Sequence, residues 1–273
     1  VSDPLQYDQK RVVVTGAASG MGAACAAILT DLGAEVHAVD INPGATGVAA
    51  FHQCDLGNLA AIDATVAEIG GPVDSLFNCA GLPTTAPSQK IMLVNFVGHR
   101  ALTEALVPHM PRGSSIGFIS SAAGMGWIMS MANIYGLLVT PDFASGQAWC
   151  EENDALIGEN GYGFSKEAIN AYVAFRGFQL APEGIRVNGI MPGPTDTPMM
   201  PSFVESMGEE FFQTFPKPVG RNSTPQEQAW PLIMLNSPRS SYVTATTLMT
   251  DGGFSGGIYT GGIDPAVLVP PAG

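Results

Sequence analysis

"RVVVTGAASGMGAACAAILTDLG" (residues 11–33) joins two periodicities end to end. Residues 11–16 are a β-branched block that stops at a glycine, the pattern of a strand buried on both faces of a parallel sheet. From Gly20 onward Ala and Leu recur at helical spacing until Gly33 closes the run. Between them lies "TGAASGMG" (15–22), whose glycines at 16, 20 and 22 permit a tight turn and close approach of backbone N–H groups to a ligand. A strand that enters a helix through such a loop offers the positive helix end to an anion, so the stretch reads as a pyrophosphate site.

The next strand strengthens that reading. "EVHAVD" (35–40) ends on Asp40, 18 residues beyond Gly22, where a carboxylate can accept hydrogen bonds from both hydroxyls of an adenine ribose. The same carboxylate would repel a 2′-phosphate, and neither Ala17, Ala18, Ser19 nor the Ile41–Asn42 pair supplies a cation to offset it. The expected cofactor is therefore NAD(H) rather than NADP(H). Further strands are expected within 47–55, 73–81, 115–121 and 185–193, with helical patterns between them; "NLAAIDATVAEIG" (58–70) has Asn58 as its N-cap. This alternation predicts a single α/β domain over residues 1–273, a doubly wound parallel sheet of about seven strands with helices on both faces.

Bulk composition excludes several alternatives. The net charge of −13 leaves no source of affinity for a phosphate backbone, so no nucleic acid is expected as partner. Every apolar run falls short of the about 20 residues that span a bilayer, so no membrane partner is expected. The four cysteines show no CxxC spacing and the four histidines are scattered among them; no metal site is expected, and these residues read as buried or inert. "VSDPLQYDQK" (1–10) has no basic region followed by an apolar stretch, and a cytoplasmic setting is the expectation.

"NGYGFSKEAINAYV" (160–173) then places Tyr162 four positions ahead of Lys166, one of only four lysines in the chain. Positions four apart on a helix share a face, so the phenol and the ammonium lie together. A tyrosine loses its proton near pH ~10, and a neighbouring cation favours the phenolate, which would bring a general base closer to neutrality.

Glycine loop, strand-end acid, "NCAG" (78–81) and YxxxK, in that order, resemble the short-chain dehydrogenase/reductase family over residues 11 to 253. The resemblance implies a Rossmann fold and assigns roles position by position. Tyr162 is the catalytic base, Lys166 holds the nicotinamide ribose and lowers the tyrosine pKa, Ser121 of "ISSAAG" bonds the substrate oxygen, and Asn95 of "VNFVG" holds a water in the proton relay. On the cofactor side it implies Gly16, Ser19, Gly20, Met21 and Gly22 at the pyrophosphate, Asp40 and Ile41 at the ribose, and Asp55 with Leu56 at the adenine. Ala80 and Gly81 follow Asn78, the residue expected to brace the central strands; Cys79 departs from the asparagine usual there. In "MPGPTDTPM" (191–199), Pro192, Gly193, Thr195 and Thr197 lie behind the nicotinamide.

Ser121 and Tyr162 are 41 positions apart, where ordinary members keep them much closer. An insertion over about 124–160 is too long for a simple loop and is expected to serve a pocket or an interface. It resembles the insertion of the subgroup that holds the bacterial 3α-hydroxysteroid dehydrogenase/carbonyl reductases and the coniferyl-alcohol dehydrogenases. Met125, Trp127, Met129 and Met131 either pack the insertion or wall an apolar pocket, and Trp149 and Leu156 are assigned to core or interface. Residues 199–221 read as a substrate lid with Met and Phe inward and Glu outward. The Gly- and Pro-rich tail 254–273 reads as a surface coat or a cover for a neighbouring site. Arg100, Arg176 and Arg186 are expected to be solvated or paired.

The substrate implied is a hydrophobic small-molecule alcohol or ketone, such as a hydroxysteroid, handled by a homodimer or homotetramer in which the insertion redirects pairing to the far end of the sheet. An aryl or allylic alcohol of the coniferyl type, and a dinucleotide sensor without chemistry, remain as alternatives.

Overall fold

The structure, a computed structural model, describes residues 3–159 and 161–268; the last insertion residue, 160, and the tail end, 269–273, lie outside the described residues. Among the described residues seven strands form one parallel sheet: β1 (Arg11–Thr15), β2 (Glu35–Asp40), β3 (Ala50–Gln53), β4 (Ser75–Asn78), β5 (Ser115–Ile119), β6 (Arg186–Pro192) and β7 (Thr246–Thr250). Their spatial order is β3-β2-β1-β4-β5-β6-β7. The chain builds outward from β1 to β3, then returns to lay β4 on the other side of β1, which opens a crevice at the strand C-termini between β1 and β4.

Helices cover both faces because the central strands are apolar on both. One face packs Val13, Leu76, Ile116 and Val187 against Ile62, Leu102 and Tyr172. These come from α2 (Leu59–Ile69), α4 (His99–Leu106) and α8 (Gly161–Leu180). The other face packs Val12, Val14 and Phe77 against Leu29 and Leu232, from α1 (Gly20–Asp31) and α11 (Pro225–Asn236). Asn58 caps α2 as expected, accepting from the N–H groups of Ala60 and Ala61. Between β4 and α4 the chain forms α3 (Ser88–Met92) and then a π-helical turn, Leu93–Gly98, which contains Asn95.

The insertion is helical. It comprises α5 (Met131–Leu138), α6 (Phe143–Glu152) and α7 (Asp154–Ile157), entered through a 3-10 turn at Ala122–Gly124. Ile134, Leu137, Phe143 and Cys150 join the core cluster of the α4/α8 face, so the insertion covers that face. Arg100 clamps it: the buried guanidinium donates to the carbonyl oxygens of Leu137 (2.8 Å) and Asp142 (2.8 Å) and to the Thr140 hydroxyl (2.5 Å). Arg186 likewise donates to the carbonyls of Leu235 (2.7 Å), Asn236 (2.8 Å) and Ser237 (2.9 Å). Of the expected alternatives, solvated or paired, these two are paired, and with backbone carbonyls. Converging carbonyl dipoles replace the carboxylate partner, which spacing in the sequence cannot reveal. Arg176 pairs with Glu104 at 2.7 Å.

Helices α9 (Met200–Met207) and α10 (Glu209–Thr214) follow β6, and α12 (Phe254–Tyr259) follows β7. Phe215 stacks on Phe254 with centroids 4.6 Å apart, so the described part of the tail anchors the end of the α9–α10 segment. No helix among the described residues is long and apolar enough to cross a membrane. All four cysteines are free thiols.

Candidate active site

The residues singled out in the sequence gather at the C-terminal ends of the strands. Gly16 and Gly20 have φ of +67° and +55°, a backbone region in which a side chain is strained. At Gly16 a Cβ would also lie 2.7 Å from the backbone of Ala80, and at Gly22 it would lie 2.1 Å from the carbonyl oxygen of Gly16. The loop is thus pressed against the "NCAG" turn, and only glycine leaves room. Ser19 is the N-cap of α1. Thr197 sits beside the same loop, 3.5 Å from the Cβ position of Gly20.

Asp40 accepts from the backbone N–H of Ala18 (3.0 Å) and of Asn42 (2.9 Å), which places its carboxylate at the rim of the glycine loop, next to the exposed Ile41. Asp55 is exposed and accepts from the Gly57 N–H, while Leu56 is buried against Gly98 of the π turn. Asn78 is buried, and its amide donates to Thr103 of α4 at 3.2 Å, so the side chain braces β4 against that helix. Beyond the buried Pro192, Gly193 packs on Asp251. The Thr195 hydroxyl donates to Gly193 O (3.0 Å) and shares a bond with the Ser223 hydroxyl (2.9 Å). Gln228 donates to that same hydroxyl at 2.8 Å. The loop is therefore held from behind by residues the sequence reading passed over.

Ser121 and Tyr162 share a hydrogen bond, while Ser120 is buried and donates to the carbonyl of Lys166 at 2.9 Å. The two serines are thus distinct: Ser121 faces the tyrosine, and Ser120 fastens β5 to α8. Lys166 is 5 % exposed; its ammonium donates to Ile119 O at 3.0 Å and stands 5.4 Å from the centroid of the Tyr162 ring. Asn95, fully buried, accepts from the Leu82 N–H (2.7 Å) and donates to Leu82 O (3.2 Å) and to the Ser165 hydroxyl (3.4 Å).

Electrostatics depart from the sequence expectation here. Burial pushes the Tyr162 phenol up to about 12, against which the Ser121 hydrogen bond acts weakly, and burial lowers the Lys166 ammonium to about 8. The loss of water around each group sets both shifts, so the phenol is not brought toward neutrality. The ammonium turns to the Ile119 carbonyl, and the spacing of four positions fixes a shared face but not that orientation.

Residues Met199, Met200, Phe203, Met207, Phe211, Phe212 and Phe215 are half-buried, while Glu205, Glu209 and Glu210 are exposed, as the amphipathic pattern predicts. Phe203 meets Tyr162 edge to face, with centroids 5.1 Å apart. Its pairing with the tyrosine had no local signal in the sequence. In the insertion Trp127 and Met131 pack against the core and Met125 is half-buried, but Met129 is 92 % exposed. Trp149 and Phe164, both half-buried, stack on each other against the core, and Leu156 lies at the surface.

Cysteines and histidines that look scattered in sequence are partly paired in space. His37 and His52 stack on adjacent strands with centroids 5.3 Å apart, and the free thiols of Cys79 and Cys25 share a hydrogen bond. No group of three or more His, Cys, Asp or Glu among the described residues could hold a metal ion.

A parallel doubly wound sheet with a glycine loop at its switch point and a serine–tyrosine–lysine set beside it defines a dinucleotide-dependent oxidoreductase architecture. Residues 10–136 match the family model described as short chain dehydrogenase, and residues 149–255 match that described as Enoyl-(Acyl carrier protein) reductase. The chain belongs to the short-chain dehydrogenase/reductase family and is an oxidoreductase of alcohols and ketones. It is 32% identical to a coniferyl-alcohol dehydrogenase of Pseudomonas sp. (strain HR199), over 92% of this chain and 98% of that protein. It is 30% identical to the 3-alpha-hydroxysteroid dehydrogenase/carbonyl reductase of Comamonas testosteroni, over 89% of this chain and 95% of that one. Among solved structures it resembles the 3-alpha-hydroxysteroid dehydrogenase of Pseudomonas sp. B-0831 complexed with NADH, with a TM-score of 0.77 at 26% identity, covering 90% and 97% of the two chains.

Proposed function

We propose that the protein is an NAD(H)-dependent dehydrogenase that interconverts a hydrophobic secondary alcohol and its ketone, with a steroid or similar ring compound as substrate. The observation that carries this reading is the meeting of Ser121 and Tyr162 above a buried Lys166, at the mouth of the crevice bounded by the glycine loop. The glycine cradle at Gly16 and Gly22 suits a pyrophosphate, and Asp40 suits an unphosphorylated ribose. NAD, when bound, accepts or returns hydride.

The remaining steps belong to the chain. Ser121 donates a hydrogen bond to the substrate oxygen, Tyr162 takes the hydroxyl proton in oxidation or returns it in reduction, and Lys166 supplies the positive charge that favours a phenolate. Asn95 holds the Leu82 wall of the site. The Phe203 ring against the tyrosine and the half-buried Met200 and Met207 of α9 give this side of the site an apolar lining, which favours a ring system over a charged acid.

A second reading, oxidation of a flat aryl or allylic primary alcohol, is favoured by the edge-to-face Phe203–Tyr162 contact, a geometry that a planar substrate can extend. We further assign the protein to a reducing compartment, in keeping with its four free thiols, and to a homodimer or homotetramer. The insertion covers the α4/α8 face, while Trp230 and Met234 of α11 and Leu248 and Met249 of the edge strand β7 are exposed, which supports pairing through that edge.

Absorbance of NADH, with a panel of cyclic, steroid and cinnamyl-type alcohols and either NAD or NADP, tests the reading. Turnover of ring secondary alcohols with NAD is expected. Equal or better efficiency with NADP would overturn the cofactor assignment, and preference for cinnamyl-type alcohols would favour the second reading.

A further inference from the structure

Thr15, His99 and Asn95 form one buried hydrogen-bonded chain, of which only Asn95 has a role in the proposed reaction. Their exposures are 0%, 2% and 0%. The Thr15 hydroxyl accepts from the backbone N–H of Cys79 (2.9 Å) and of Ala80 (3.1 Å) and lies 3.2 Å from His99 Nε2. With both lone pairs engaged, that hydroxyl is the donor to Nε2. Nε2 is then bare and the proton sits on Nδ1, which lies 3.1 Å from the carbonyl oxygen of Asn95 and donates to it. Full burial lowers the imidazole pKa to about 4, in keeping with a neutral ring.

The two ends of this chain grip one segment. Thr15 holds Cys79 and Ala80, and the Asn95 side chain holds both backbone groups of Leu82. Asn95 also donates to Ser165, whose hydroxyl donates to the carbonyl of Tyr162 at 2.7 Å. A continuous path therefore runs from the strand that opens the glycine loop to the turn that carries the tyrosine, and His99 is its middle member.

We propose that His99 is a positioning residue: it ties the Thr15 hydroxyl to the Asn95 carbonyl, and so sets the 79–82 wall for the dinucleotide at one end and the Tyr162 turn for the reaction at the other. This rests on the functional reading above. The two bonds have separate consequences. Loss of the Thr15 bond loosens the wall against which the cofactor lies. Loss of the Asn95 bond releases the π turn and, through Ser165, the tyrosine.

Three variants separate them. In His99→Asn the amide is placed like Nδ1 and donates to Asn95 but does not reach Thr15. In His99→Gln the side-chain oxygen is placed like Nε2 and accepts from Thr15 but leaves Asn95 without a donor. His99→Leu removes both. For His99→Asn we expect NADH binding, read by its fluorescence, to weaken about tenfold with kcat nearly unchanged; for His99→Gln we expect the reverse, an about tenfold fall in kcat with NADH binding nearly unchanged. His99→Leu shows both losses.

Losses that do not separate between the two polar variants, or no loss in any of the three, would overturn the proposal, since an imidazole that only fills space predicts parallel effects. Nitrogen-15 shifts of the His99 ring in the ligand-free protein give an independent reading: a proton on Nδ1 is expected, and a proton on Nε2 overturns the proposal. A wild-type protein that binds no NADH would refute the cofactor assignment instead, while the ring shifts still decide the role of His99.

Discussion

The π turn Leu93–Gly98 and the helix α9 both serve the crevice, but they are built in opposite ways. In the π turn every residue but one is buried, and Asn95 is fixed by three side-chain hydrogen bonds to Leu82 and Ser165. In α9 no residue is buried, and its link to the tyrosine is an aromatic edge contact from Phe203. Burial with directed bonds holds atoms to a few tenths of an ångström, which proton and hydride transfer require. Apolar contact on a half-exposed helix has no preferred orientation and can adjust to a guest. The protein therefore reads as a rigid cofactor half and an adaptable substrate half.

Substitutions on each side can break or sharpen that contrast. The largest effect is expected for Tyr162→Phe, which removes the proton carrier and leaves the ring: turnover should fall by about a thousandfold while NADH binding is retained, and turnover near wild type would dismiss the tyrosine from its role. Arg100→Met should show that the insertion belongs to the rigid half. It leaves the carbonyls of Leu137 and Asp142 without their donor, and a loss of about 2–3 kcal/mol in a denaturant titration is expected. A loss under about 0.5 kcal/mol would mean that the insertion is held by its apolar contacts alone.

Lys166→Met is expected to gain stability while losing activity. The lysine pKa is lowered from 10.5 to about 8 by burial, so the penalty for burying the cation is fully present below about 8. It is relieved as pH rises from there toward 10.5, because the unfolded chain keeps its proton while the folded one has released it. The variant should therefore be more stable than wild type by about 1–3 kcal/mol at neutral pH, with the gap closing as pH rises through that window. A gap that is constant with pH would mean the amine is not penalised by burial. The smallest effect is expected for Phe203→Ala: a rise of about fivefold in KM for ring substrates, with stability within about 0.5 kcal/mol of wild type. A large fall in stability would place α9 in the rigid half after all.

The division also explains what was legible in the sequence. Glycine at 16, 20 and 22, Asp40 at a strand end, and Tyr162 four positions before Lys166 are local constraints, each set by what a turn, a strand end or a helix face allows. In the structure these residues lie around one crevice, and of the two serines it is Ser121, the one expected at the substrate oxygen, that meets Tyr162, while Ser120 bonds the Lys166 carbonyl. The carbonyl cages around Arg100 and Arg186 could not be read, because their acceptors are backbone atoms from segments distant in the chain. Nor could the link of His99 to Thr15, separated by 84 positions, or the extent to which burial raises the Tyr162 phenol.

By itself the order of residues determined the α/β class, the strand-to-helix glycine loop, the acid at the end of the second strand and the tyrosine–lysine face, since each depends on periodicity or on neighbours within a turn. Tertiary structure alone decided which buried polar groups find partners, how the insertion seals the α4/α8 face, and how far each ionisable group is removed from water. Those quantities depend on what surrounds an atom in space, and the local pattern carries no record of it.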